Sequence, residues 1–167
     1  MPKGHPSHSS AEEAGRPPRV RQEGELFVIV VGCGRLGSLV ANRLSLVGHH
    51  VTVIDQRKEA FSSLSPEFSG FQLEGDATEF ATLREADVRQ AEVVVVATES
   101  DNINLMVGQV ARKLFGVQRV IARVEDPHRE EIFYELGIET ICPATLVGDE
   151  IAESLSSDRS LGREPEI

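Results

Sequence analysis

Apolar and polar residues fall in blocks along this chain, and the block lengths predict strands separated by helices. Leu26 to Val31 is an unbroken apolar run of strand length, and Val51 to Ile54 is a second. Between them Leu36, Leu39, Val40, Leu44 and Val47 recur at helical spacing, and Gly48 closes that helix. Past Asp55, the residues Ala60, Phe61 and Leu64 predict a helix that Pro66 terminates, and Phe68 to Glu74 alternates as a third strand. A short helix through Phe80, Leu83 and Ala86 leads to Val93–Val96, a β-branched run of the kind buried on both faces of a parallel sheet. Ile103, Met106, Val107, Val110, Ala111 and Leu114 predict the next helix, stopped at Gly116. Val117 to Val124 reads as a fifth strand, Pro127 opens a helix that Gly137 ends, and Ile138 to Cys142 is a short sixth strand. A last helix carries Val147, Ile151 and Leu155. This alternation predicts an α/β, Rossmann-like single domain: a doubly wound parallel six-stranded sheet, order 3-2-1-4-5-6, with right-handed crossovers.

The junction of the first strand and helix carries Gly32-Cys33-Gly34-Arg35-Leu36-Gly37. In that setting the first glycine allows a tight turn, the second lets backbone N–H groups approach a pyrophosphate, and the third lets the helix lie close to the strand. The helix N-terminus adds unpaired donors and roughly half an elementary charge for an anion. Asp55 ends the second strand eighteen positions past Gly37, near the spacing at which a carboxylate accepts hydrogen bonds from ribose hydroxyls. Its charge disfavours a 2′-phosphate even with Arg57 nearby.

Composition narrows the picture. The 167 residues suit one compact domain and are too few for a dinucleotide domain plus a full substrate domain. Residues 1–24 hold almost no large apolar side chains and predict a disordered tail; residues 25–155 form the folded domain, and 156–167 a flexible tail. No run suits a signal peptide or a bilayer span, so a cytoplasmic chain is expected. A net charge of −10 argues against a nucleic-acid partner. Cys33 and Cys142 form no CxxC pair, which fits a reducing compartment and offers no metal site. Cys33 at a helix N-terminus is open to two readings: a redox-sensitive thiol of lowered pKa, or a small residue beside the phosphate. His49 and His50, in the turn before the second strand, read as solvated surface.

Four motifs in order resemble the TrkA-N family, the nucleotide-binding regulator-of-potassium-conductance domains of Trk/Ktr potassium uptake systems. They are the glycine turn with Arg35 at its fourth position, the GDAT of Gly75 to Thr78, the VVVVAT before an Asn-bearing helix start, and the IARVEDP of Ile121 to Pro127. The resemblance covers about Glu25 to Leu155. It implies a regulatory subunit at the inner face of the plasma membrane that binds NAD(H) or ATP/ADP and gates a membrane potassium-translocating partner. Carried over, Gly32, Gly34 and Gly37 hold phosphates, Arg35 reaches a terminal phosphate and Asp55 takes the ribose hydroxyls, with Leu36, Gln56 and Arg57 also among the cofactor-binding residues. Asp76 and Ala77 border the adenine, and Thr98 with Arg123 lines the far side of the cleft. Two of these have structural alternatives: Asp76 as the shaper of a tight turn, and Arg123 as the partner of Glu125 or Asp126. The resemblance also implies a homo-oligomer built from dimers through the last helix. Relatives carry a further TrkA-C domain, which a second TrkA-like chain would supply here.

The competing class is an NAD-dependent oxidoreductase. Hydride transfer needs a positioned acid or base and a substrate pocket, and no His, Lys or Tyr stands at an evident strand end over the nicotinamide side. A binding module rather than an enzyme is therefore the expectation.

Overall fold

The computed structural model describes residues 24–159. Its strands are β1 (Phe27–Val31), β2 (His50–Asp55), β3 (Phe71–Glu74), β4 (Val93–Val96), β5 (Arg119–Arg123) and β6 (Glu139–Ile141). Its α-helices are α1 (Arg35–Leu46), α2 (Phe80–Glu85), α3 (Asp101–Gln109), α4 (Glu130–Glu135) and α5 (Pro143–Arg159). The sheet is wholly parallel with the order β3-β2-β1-β4-β5-β6, as the alternation of blocks predicts.

β1 is central and buried along its whole length, because a parallel strand covered on both faces has no side for polar residues. Val28 to Val31 lie level with Val51 to Ile54 on one flank and with Val93 to Val96 on the other. Strand side chains alternate, so Phe27, Ile29 and Val31 join one core with Leu83, Val107 and Phe133 of α2, α3 and α4. Val28 and Val30 join a second core with Val40, Ala41 and Leu44 of α1. Each such fully buried Val, Ile or Phe contributes about 1.5–3 kcal/mol through water exclusion.

The buried face of α1 is made of small residues, Gly37, Ser38, Ala41 and Ser45. Leu39 and Val47, read as part of its apolar stripe, are 47% and 69% exposed. Close approach to the sheet explains this: a Cβ built on Gly37 would lie 1.8 Å from the Gly32 carbonyl oxygen, so the helix rests against the turn with no room for a branched side chain.

Other elements are shorter than the sequence pattern predicts. The segment after Asp55 is a 3₁₀ helix, Lys58–Ser63, rather than an α-helix. The third strand starts at Phe71 and not Phe68, because Phe68 N–H donates to the Ser65 carbonyl and Ser69 N–H to the Ser45 hydroxyl, which leaves neither for β2. The helix before β5 ends in a π turn, Val110–Leu114. α5 runs on past Leu155 to Arg159, into the segment read as a flexible tail. The tail expected before Gly24 and the rest of the one expected at the C-terminus lie outside the described residues. Among the described residues no helix is long and apolar enough to cross a membrane.

Candidate functional site

The strand order reverses between β1's two neighbours, β2 and β4, and in a doubly wound sheet the crevice opens at that point over the carboxyl ends of the strands. An open cleft of about 580 Å³ lies there, lined by Val31, Gly32, Ile54, Asp55, Gln56, Arg57, Gly75, Asp76, Ala77, Thr98 and Ile103.

The turn after β1 gives the cleft its floor. Gly32 has a φ of +93°, a conformation that L side chains resist, and its N–H donates to the Ile54 carbonyl at 2.8 Å. Cys33 N–H then donates to Asp55 Oδ2 at 2.8 Å, so the end of β2 holds the turn in place. Gly34 is the N-cap of α1 and supplies no side-chain cap, while a Cβ built on it would meet nothing within 4 Å. The first-turn N–H groups of α1 therefore have no capping side chain. α3 differs: the Ser100 hydroxyl accepts the Ile103 N–H at 3.4 Å and closes that helix start.

Asp55 is 11% exposed, and its second oxygen, Oδ1, accepts the Arg57 N–H at 2.9 Å. A carboxylate offers about four acceptor positions, so two remain for a ligand. The Arg57 guanidinium is 3.8 Å from Asp55 and 75% exposed, too loose to occupy them. Across the cleft, Asp76 Oδ1 accepts the Thr78 N–H at 2.8 Å. Its carboxyl is held below the usual carboxylate range by the Thr78 hydroxyl first, then the Thr78 N–H, with Gln56 adding to both. Asp76 thus has the turn-shaping role offered as its alternative, and it also lines the cleft.

Cys33 is 1% exposed, and its thiol is pushed up to about 11 by burial and by the nearby Asp55 charge. The redox-sensitive reading required a lowered value, so the structure corrects it: the thiol is a small buried group under the turn.

Asn104 is the residue that the pattern of apolar positions does not foretell. It is fully buried on α3. Its Oδ1 accepts the Thr98 hydroxyl at 2.6 Å and the Thr98 N–H at 3.1 Å; its Nδ2 donates to the Thr98 carbonyl at 3.0 Å and the Arg123 carbonyl at 2.9 Å. One side chain ties the ends of β4 and β5 to α3, and it sets the height at which Thr98 meets the cleft. The signal in the sequence is the Asn-bearing helix start, where Asn104 follows Asp101 by three positions.

Of the residues singled out from sequence, Gly32, Asp55, Gln56, Arg57, Asp76, Ala77 and Thr98 line the cleft together. Gly34, Arg35, Leu36 and Gly37 form the helix start beside it, with Gly34 and Arg35 exposed. Arg123 is not among the lining residues; its Nη2 pairs with Glu125 at 2.5 Å, while its buried Nε has no hydrogen-bond partner. Val31, Ile54, Gly75 and Ile103 line the cleft without having been singled out; their signal was position, at the ends of strands and at the start of α3.

Residues 28–144 match the TrkA-N domain. The chain belongs to the TrkA-N family. It is 36% identical over 142 residues to the Trk system potassium uptake protein TrkA of Streptomyces coelicolor, covering 84% of this chain and 64% of that protein. It is 34% identical over 116 residues to a TrkA homolog of Methanothermobacter thermautotrophicus, covering 70% of this chain and 53% of that one. The chain thus spans between half and two thirds of the length of these relatives. Among solved structures, the TrkA-N domain of inner membrane protein ybaL from Escherichia coli superposes with a TM-score of 0.71 at 18% identity, covering 80% of this chain and 99% of that one. The GsuK channel bound to NAD superposes with a TM-score of 0.71 at 23% identity, covering 84% of this chain and 25% of that one. These two likenesses establish the fold of this TrkA-N domain.

Proposed function

We propose that this TrkA-N domain binds an adenine nucleotide, NAD(H) or ATP/ADP, and acts as a regulatory module for a membrane potassium-translocating subunit. The observation that carries the reading is the Asp55 carboxylate in the cleft, bonded to the Cys33 N–H of the glycine turn that leads to the uncapped helix start at Gly34. The carboxylate suits ribose hydroxyls and the helix start suits phosphate. Arg35 extends from the exposed edge of the same turn toward a terminal phosphate, and Asp76 and Ala77 border the base. The titratable groups lining the cleft are Asp55, Asp76 and Arg57, all on the β2 and β3 side, which supports a binding module over a dehydrogenase.

The Trk system names of the relatives support a potassium-transport context, and the GsuK structures with NAD and with ADP support the ligand class. Assembly is the means by which a cleft would act on a membrane partner. Leu146, Val147, Ile151 and Leu155 of α5 are 56–65% exposed, a stripe suited to a second copy of the chain, and dimers are the proposed unit of a homo-oligomer at the inner membrane face. Calorimetric titration with ADP, together with mass spectrometry of nucleotide released from the purified chain, tests the proposal. Binding of no adenine nucleotide would refute it.

A further inference from the structure

We infer that Asn104 is a positioning residue of the cleft: it turns the Thr98 hydroxyl into the protein, so that Thr98 meets a ligand with its methyl group. The inference rests on the nucleotide reading above and concerns the wall built by the end of β4 and the start of α3.

An amide side chain has two acceptor positions on its oxygen and two donor hydrogens on its nitrogen. Asn104, 0% exposed on α3, uses all four: Oδ1 accepts from the Thr98 N–H and the Thr98 hydroxyl, and Nδ2 donates to the Thr98 and Arg123 carbonyls. The amide has one possible orientation, because a flip would set its NH2 group against the Thr98 N–H and its oxygen against two carbonyls. The place of the hydroxyl proton follows. Oδ1 can only accept, so at 2.6 Å the Thr98 hydroxyl is the donor, and the Ser100 carbonyl at 3.4 Å is the weaker acceptor of the same proton. The Ser100 N–H, at 3.3 Å, donates to a lone pair of Thr98 Oγ1. Both donors of Thr98, its N–H and its O–H, are therefore spent inside the protein on a residue six positions along the chain.

A threonine fixed at its oxygen is fixed at its methyl group too, since both sit on Cβ and χ1 is stiff. Thr98 lines the cleft with its hydroxyl engaged, which leaves Cγ2 as the side-chain group for a ligand. Ile103, the residue before Asn104, lines the cleft as well, with Val31 and Ala77. Such a wall offers dispersion and water exclusion and no side-chain donor, so it suits the carbons of a sugar or the face of a ring. A phosphate finds no donor on Thr98 and is left to the turn before α1. A threonine hydroxyl free to rotate here would point toward any anion and blur that division. Asn104, which is not itself a lining residue, thus sets what the cleft prefers through a buried hydrogen-bond set.

The test titrates variants of the full chain with ADP and AMP by calorimetry and reads their stability from thermal melts. Thr98→Ser keeps the hydroxyl with its hydrogen bonds and removes the methyl group, so it should melt close to wild type and bind both nucleotides about three- to fivefold more weakly. Thr98→Val keeps the methyl group and strands Asn104 and Ser100, so it should melt several degrees lower and lose less affinity than Thr98→Ser. Asn104→Ala should weaken binding in the wild-type chain and add less than about twofold on the Thr98→Val background, because a valine presents a methyl group in either orientation. If Asn104→Ala does not fold, the two Thr98 variants decide. The inference is overturned by an affinity loss in Thr98→Val that equals or exceeds that of Thr98→Ser, or by a Thr98→Ser cost larger for ADP than for AMP, since either means that the hydroxyl serves the ligand. An undiminished Asn104→Ala cost on the Thr98→Val background overturns it too. Absence of ADP binding by the wild-type chain overturns the nucleotide reading, and the inference with it.

Discussion

The Asp55 carboxylate accepts the Cys33 backbone N–H at 2.8 Å, so the residue suited to ribose is also a brace of the turn suited to phosphate. The two subsites are mechanically one: a ligand that draws Asp55 toward its ribose also moves the turn. Asp55→Ala should weaken ADP binding about tenfold to a few hundredfold and should also lower the melting temperature, since it strands two backbone donors. Asp55→Asn keeps one acceptor for Cys33 and should recover most of the stability. Calorimetry and thermal melts on the two variants separate the brace from the ligand contact.

The glycines of the turn should fail in different ways. Gly34 has a φ outside the left-handed region and open space at its Cβ position, so Gly34→Ala should fold with unchanged stability and lose phosphate-dependent affinity. Gly37→Ala would set a methyl group 1.8 Å from the Gly32 carbonyl oxygen and should destabilise the fold by several kcal/mol or prevent it. Denaturant melts and ADP titrations of both variants check the contrast.

Cys33 predicts a pH dependence with a definite sign. The folded thiol holds its proton to about 11, against an ordinary value of 9.0, so its stabilising contribution is complete below pH 9 and disappears as pH climbs to about 11. At most about 2–3 kcal/mol is at stake. Urea melts across that window should show wild type losing more stability than Cys33→Ala. A disulfide reagent at pH 8 should leave the thiol of the folded chain unmodified.

Asn104→Ala should cost about 2–4 kcal/mol, because it strands the Thr98 and Arg123 backbone groups that the amide satisfies and leaves a hole behind it. Asn104→Asp would set a buried carboxylate oxygen against the Thr98 and Arg123 carbonyls and should cost at least as much as the alanine. Chemical denaturation of the two variants orders them.

Ile151→Asp should shift the chain toward monomer by light scattering at micromolar concentration without altering its melting cooperativity, because Ile151 is 56% exposed within the single chain. A wild-type chain that is monomeric with and without ADP would remove the assembly part of the proposal. Burying Val147, Ile151 and Leu155 contributes roughly 1.5–3 kcal/mol each before association entropy is counted.

Much of this architecture was legible in the sequence. The apolar run ending at Val31, the glycine turn and the strand ending at Asp55 fix a βαβ unit by local chemistry alone, and the valines of β4 declare a strand covered on both faces. What was not legible depends on distance. Asn104 is buried because the Arg123 carbonyl, nineteen residues on, needs a donor, and no window of neighbouring residues carries that fact. The small buried face of α1 was hidden for a related reason: periodicity finds large apolar side chains, whereas closeness to the sheet selects Gly37, Ser38, Ala41 and Ser45. The Lys58–Ser63 segment is only six residues long, so the spacing of Ala60, Phe61 and Leu64 fits a tight 3₁₀ turn as well as an α-helix.

The sheet's two borders have a consequence for how copies of this domain can meet. β3 spans four residues and β6 three, and each ends or begins on a glutamate, Glu74 and Glu139. A border so short offers few free ladder bonds to an incoming strand, and at β6 the Glu139 carboxylate is already held by Arg119. Sheet continuation from one copy into the next is thereby disfavoured. Were copies to assemble as proposed, their contact would be left to helix surfaces, which can slide and tilt in ways that a hydrogen-bonded strand ladder cannot.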